Sequence, residues 1–177
     1  AYLHLRNYQE RAIQAVESAL AAGQANCLLA MATGTGKTRT IIGLMYRFLK
    51  AERFRRILFL VDRSALGQQA QENFDEAELE QNLPLSKAYN IAEMGEMAAE
   101  AETRIQVATV QAMVKRIFQS DTPPGIDEFD CIIIDEAHRN FHTGAGRYKP
   151  FADLITHDGF RVAANTLGLT AESLPGC

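Results

Sequence analysis

The residues best suited to chemistry in this chain are Met31-Ala-Thr-Gly-Thr-Gly-Lys-Thr38. They follow an apolar run, Cys27-Leu-Leu-Ala-Met31, and precede a helical pattern that starts near Lys37. Strand, glycine turn and helix start together make the setting of a phosphate cradle. Gly34 and Gly36 let the backbone curl so that its N–H groups aim inward. The helix start adds unpaired N–H groups and the positive end of its dipole. Lys37 brings a full charge to where β- and γ-phosphates would lie, and the Thr38 hydroxyl suits a magnesium ion. The candidate nucleotide ligands here are Thr33, Gly34, Thr35, Gly36, Lys37, Thr38 and Arg39. The strict phosphate-loop pattern has a further glycine where this chain has Met31.

A second candidate station is Ile132-Ile-Ile-Asp-Glu-Ala-His138, which sets two carboxylates at the end of an apolar strand. In open α/β sheets, ligands bind outside the carboxyl ends of strands. Asp135 and Glu136 can therefore face the crevice that the Lys37 turn faces. Nucleotide hydrolysis needs an acid to hold hydrated magnesium, which suits Asp135, and a group to orient or deprotonate water, which suits Glu136. An acidic pair at a helix start is also common for dipole reasons alone; the upstream phosphate turn gives this pair its meaning. His138 and His142 lie four apart, but without a further ligand cluster they do not make a zinc site.

Alternating strands and helices must position these stations. Helical spacing is expected over Tyr8–Ala22, with Ile13, Val16 and Leu20 inward, and over Lys37–Lys50, with Ile41, Leu44, Met45 and Phe48 on one stripe. Ile57–Val61 reads as a strand buried on both faces. A helix is expected from Ser64 to about Phe74, and the acid-rich Gln71–Glu80 reads as a solvated helix end. Lys87–Ile91 suggests a short strand and Ala92–Ala101 a helix interrupted by Gly95. Then follow a strand at Ile105–Thr109, a helix at Val110–Phe118, a loop at Ser120–Glu128 and a strand at Phe129–Ile134. A helix around Pro150–Thr156 and a last strand at Thr166–Thr170 complete the pattern. The expected fold class is α/β: a mostly parallel, twisted sheet with helices on both faces, as one domain over residues 1–177.

Composition narrows the class. With 47% hydrophobic residues in 177, the chain can bury a sizeable core. A net charge of −4 excludes a general nucleic-acid coat, while local basic patches remain possible. Three cysteines without framework spacing argue against a disulfide scaffold and for a reducing, cytoplasmic compartment. No apolar run reaches membrane-spanning length, so no membrane role is expected. The first residue is not Met, which suggests a piece of a longer protein.

Gly34-Thr-Gly-Lys-Thr38 together with Asp135-Glu-Ala-His138 resembles the first RecA-like lobe of superfamily-two helicases and translocases, across nearly the whole chain. Leu5-Arg-Asn-Tyr-Gln9 looks like that family's adenine-reading segment, which implies a bidentate contact from the Gln9 amide to the adenine edge. Phe59-Leu-Val-Asp-Arg63 and Ala108-Thr-Val-Gln111 look like motifs that face nucleic acid, which implies phosphate contacts from Arg63, Thr109 and Gln111. His138 and Thr170 fall where the family couples nucleotide state to DNA grip. In that last motif, Leu169-Thr-Ala171 is followed by Glu172, where the family has a hydroxyl residue.

More narrowly, residues 31–40, 54–63 and 107–115 look like the motor (restriction) subunit of type I restriction enzymes. The resemblance implies ATP and Mg2+ as cofactors, double-stranded DNA as partner, specificity and modification subunits, and a second RecA-like lobe carrying an arginine finger. On its own this lobe is expected to turn over ATP weakly or not at all. A DNA-repair or RNA helicase lobe and a non-catalytic nucleotide-binding module are the rival expectations. A GTPase is disfavoured, because no Asn-Lys-x-Asp guanine reader is present and Gln9 suits adenine.

Overall fold

The computed structural model describes residues 2–32, 34–61, 91–93, 103–125, 128–135 and 165–170. A 3-10 turn, Tyr2–His4, leads into α1 (Asn7–Ala21). Then come β1 (Asn26–Ala30), α2 (Lys37–Lys50), β2 (Ile57–Val61), β3 (Ile91–Glu93), β4 (Ile105–Thr109), α3 (Val110–Gln119), β5 (Cys131–Ile134) and β6 (Asn165–Thr170). Among the described residues the strands form one six-stranded sheet, ordered β1-β6-β5-β2-β4-β3, and every pairing is parallel.

The central strands are apolar at every position because both their faces are covered. Ile57, Phe59 and Val61 of β2 join Ile105, Val107, Cys131 and Ile133 in a core with α1 and α2. Leu58 and Leu60 point the other way and join Ile132, Ile134, Ala108 and Met113, with Val114 and Ile117 of α3 packed alongside. Helices therefore lie on both faces. The expected α1 stripe, Ile13, Val16 and Leu20, is buried, and so are Ile41, Leu44, Met45 and Phe48 of α2. Phe48 meets Phe54 edge to face, with ring centroids 5.0 Å apart. A Cβ on Gly43 would lie 3.1 Å from both Ile13 Cδ1 and Leu5 Cδ1, so this glycine lets α2 sit close to α1 and the N-terminal turn. Among the described residues, no helix is long and apolar enough to cross a membrane.

Two expectations need correction. Ala92 and Glu93 belong to a strand, not a helix start, because β3 pairs with β4 in the register Ile91↔Ile105. Non-local pairing overrides the weak helical pattern there. The strand expected from Phe129 begins at Cys131 instead. The Asp130 carboxylate accepts from the N–H groups of Arg55 and Arg56, each at 2.7 Å, and so clamps the entry of β5 to the entry of β2. The helices expected over 64–74 and 150–156, and the acid-rich stretch 71–80, lie outside the described residues.

Cys27 and Cys131 are free thiols. Burial pushes the Cys131 thiol far above its ordinary range; the nearby Asp130 charge adds to this and Arg53 opposes it. The folded state thus holds Cys131 neutral at a pH where the unfolded chain has released that proton. Stability is unaffected below the ordinary thiol pKa, near ~8.5, and is lost as pH rises above it. We expect a loss of up to about 1.4 kcal/mol per pH unit in that window. Denaturant titrations of wild type and Cys131→Ala across pH 7 to 10 check this: the variant has a lower plateau and a shallower alkaline slope.

Candidate functional site

β1 delivers the chain to the carboxyl edge of the sheet at Ala30, and Met31 tucks into the interior. The turn that follows contains Gly34 and Gly36, both at φ 77°. Gly36 is the N-cap of α2 in the left-handed region, and no side chain caps that helix. The first turn of α2 contains no acid, but carries Lys37 and Arg39. Most helices place a carboxylate or a capping hydroxyl there to offset the dipole and the unpaired amides. Here a cationic, uncapped helix start follows a glycine turn, an arrangement suited to an anion.

The turn is held from behind. The Thr35 carbonyl accepts from the Tyr8 hydroxyl at 2.9 Å and from Gln9 Nε2 at 3.0 Å. The Gly36 carbonyl accepts from Gln9 Nε2 at 3.2 Å, from Thr40 Oγ1 at 3.1 Å and from the Thr40 N–H at 3.0 Å. The chain contains no cis peptide among the described residues. In a trans peptide the C=O and N–H point opposite ways. Pinning the Thr35 and Gly36 carbonyls toward α1 and α2 therefore turns the Gly36 and Lys37 N–H groups outward, away from those anchors. The sequence pattern of glycines permits a cradle; these hydrogen bonds set its direction.

Gln9 occupies an unexpected place. It is only 3% exposed, and its Oε1 accepts from the Arg6 N–H at 2.9 Å while Nε2 serves the two loop carbonyls. The amide expected to face a base is instead a brace of the glycine turn in this conformation. Tyr8, Thr40 and Asp130 were not singled out by sequence. For Tyr8 the one available signal was adjacency to Gln9.

At the other station, the Asp135 N–H donates to the Leu60 carbonyl at 2.9 Å, which fixes the residue at the sheet edge just past β5. Leu28 of β1 and Ile134 of β5 both pair with Gly168 of β6, so β1 and β5 run at the same height with one strand between them. Two strand spacings amount to about 10 Å. The glycine turn and Asp135 thus leave the same edge of the sheet, one strand apart. Thr170 ends β6 between them, level with Ala30.

Thr109 ends β4 at that edge, level with Val61, and its hydroxyl caps α3 by accepting from the Ala112 N–H at 3.1 Å. Gln111 is exposed on the first turn of α3. Thr38 and Lys37 are half-buried and Arg39 is exposed. Thr33, Arg63, Glu136 and His138 lie outside the described residues. The donor set of the described edge, a Thr38 hydroxyl and an Asp135 carboxylate, is all oxygen and suits a hard divalent cation such as magnesium.

Residues 2–172 match the family described as type III restriction enzyme, res subunit. The chain belongs to that family. Over 139 residues it is 49% identical to the type I restriction enzyme EcoKI endonuclease subunit of Escherichia coli K12, covering 78% of this chain and 12% of that protein. It is 32% identical over 171 residues to the EcoAI endonuclease subunit of E. coli, covering 94% of this chain and 19% of the relative. The chain therefore spans no more than a fifth of the length of either relative. The Sulfolobus solfataricus SWI2/SNF2 ATPase core, solved with double-stranded DNA, superimposes with a TM-score of 0.68 at 19% identity, over 96% of this chain and 32% of that one. That likeness shows the fold, which is that of one lobe of an ATPase core. The resemblance to type I restriction subunits seen in the sequence holds in these relatives, and the fold expected from the superfamily-two resemblance is the fold found.

Gly34 and Gly36 separate two costs. A Cβ at Gly36 would lie 2.7 Å from Gln9 Nε2, whereas one at Gly34 meets nothing within 4 Å. Gly34→Ala is expected to cost about 1–2 kcal/mol of left-handed strain. Gly36→Ala should cost more, because it also pushes the Gln9 amide off the loop. Denaturant titration checks this, and Gln9→Ala in the Gly36→Ala background should recover part of the difference.

Proposed function

We propose that this chain is the ATP-binding motor lobe of an ATP-dependent DNA translocase of the type I restriction class. The observation that carries this reading is the shared edge: an uncapped, lysine-bearing glycine turn and the Asp135 strand end, one strand apart. In the proposed site, the Gly36 and Lys37 amides and the Lys37 ammonium hold the phosphates of ATP. Thr38 and Asp135 hold magnesium, which when bound neutralises charge on the phosphate oxygens. Glu136 positions the attacking water and takes its proton. Thr33, Thr35 and Arg39 flank the phosphates, and the Gln9 amide reads the adenine edge. His138 and Thr170 link the nucleotide site to the grip on DNA. Of the expected DNA contacts, Thr109 ends β4, Gln111 lies two residues beyond it, and Arg63 comes two residues after β2 in the sequence; phosphate contacts of this kind position a duplex without reading its sequence.

The relatives are subunits of type I restriction enzymes. That supports, as part of the proposal, double-stranded DNA as substrate track, specificity and modification subunits as partners, and a second lobe supplying an arginine to the transition state. Nuclease activity of the assembled enzyme belongs to the same proposal. The free thiols fit a cytoplasmic place of action.

Calorimetric titration with magnesium-ATP tests the site. Lys37→Ala should abolish measurable binding, and unchanged affinity would remove the turn from the site. Glu136→Gln should leave binding intact and lower DNA-stimulated turnover by about a hundredfold. Turnover that survives this change would assign the base elsewhere.

A further inference from the structure

The Thr35 carbonyl takes two side-chain donors from consecutive residues of the α1 start, Tyr8 and Gln9. One donor would suffice to orient a peptide group. The two differ in what else they can do. Gln9 is buried, and its amide nitrogen is shared between the Thr35 and Gly36 carbonyls while its oxygen takes the Arg6 N–H. An amide has two N–H hydrogens. Both of Gln9's point at the loop, so a bidentate contact with an adenine edge requires it to release at least one loop carbonyl. Tyr8 is 37% exposed at the rim, and its phenol has no such second task in the proposed site.

We propose that Tyr8 is a positioning residue of the phosphate turn. Its hydroxyl keeps the Thr35 carbonyl fixed, and with it the outward aim of the Gly36 N–H, when the Gln9 amide is drawn off to the base of a bound nucleotide. The two donors thus make the cradle's geometry independent of whether a base is present. In this proposal the carbonyl released to a purine nucleoside triphosphate is that of Thr35, which leaves Tyr8 as its side-chain anchor from α1; a bare polyphosphate leaves both anchors in place. Tyr8 touches neither base nor phosphate in this scheme and acts only through the loop. The inference rests on the ATP site proposed above.

The test compares two probes, magnesium-ATP and magnesium-tripolyphosphate, by calorimetry on wild type, Tyr8→Phe, Gln9→Met and the double variant. Phenylalanine keeps the ring, and methionine nearly conserves the buried volume at position 9, so melting temperatures report whether each variant folds. Loss of one neutral hydrogen bond corresponds to about fivefold in affinity. Tyr8→Phe should weaken magnesium-ATP by about fivefold and tripolyphosphate by less than about twofold. In the Gln9→Met background, the same change should weaken tripolyphosphate by about fivefold as well, because the second anchor is already gone. Amide resonances of Gly36 and Lys37, followed on adding tripolyphosphate, should shift less in the double variant than in either single one. Equal losses on the two probes, no loss on either, or a tripolyphosphate affinity indifferent to Tyr8 in the Gln9→Met background overturns the inference. Lys37→Ala keeps the two levels apart. If it abolishes binding of both probes while Tyr8→Phe is silent, only the role of Tyr8 falls; if it leaves both bound, the phosphate site itself is wrong.

Discussion

One constraint organises the molecule: all the described strands run the same way, so their carboxyl ends come out on a single edge. A parallel pair cannot be joined by a tight turn, and among the described residues α2 carries the chain back from β1 to β2 and α3 from β4 to β5. Those return paths bring helices onto both faces and force the central strands to be apolar throughout, as β2 and β5 are. Polar chemistry is thereby kept out of these two strands and placed where they end. The glycine turn after β1, Asp135 after β5 and the Thr109 cap after β4 all obey this rule. The opposite edge has its own, structural use of a carboxylate, with Asp130 tying the entries of β2 and β5 together.

Within that frame, the direction of the glycine turn is set by its carbonyls. Glycine at positions 34 and 36 removes the steric bar to the left-handed backbone, but freedom alone aims nothing. The Tyr8, Gln9 and Thr40 side chains pull two successive carbonyls to one side, and peptide planarity does the rest. The electrostatics agree with the geometry. A helix start without acid or cap, carrying Lys37 and Arg39, is a local positive pole on a chain whose net charge is −4. Local charge placement, not the average, decides what such a surface attracts.

Much of this was legible in the sequence because it depends on local pattern. The bounds of α2 and of β2 and the buried stripes of both leading helices follow from apolar periodicity and from the Gly-Lys junction. The edge shared by Lys37 and Asp135 could be anticipated because two strand-ending motifs on a parallel sheet must emerge together. What could not be read was set by partners distant in the chain. Ala92 and Glu93 are strand because β4 is beside them. Asp130 leaves the expected strand because Arg55 and Arg56 offer it two amides. Nothing in a string of residues says that the Tyr8 hydroxyl reaches position 35.

Gln9 shows the same limit most sharply. Its residue type is right for reading adenine, and its position before the phosphate turn pointed to the nucleotide site. Its amide nevertheless spends its hydrogens on the backbone of that turn. The two roles draw on one small set of donors, so they compete. In the proposed site a base would be registered through the glycine turn, since taking the amide for one purpose withdraws it from the other. Because every group involved leaves α1 or one edge of one sheet, that coupling needs no more of the protein than a single lobe.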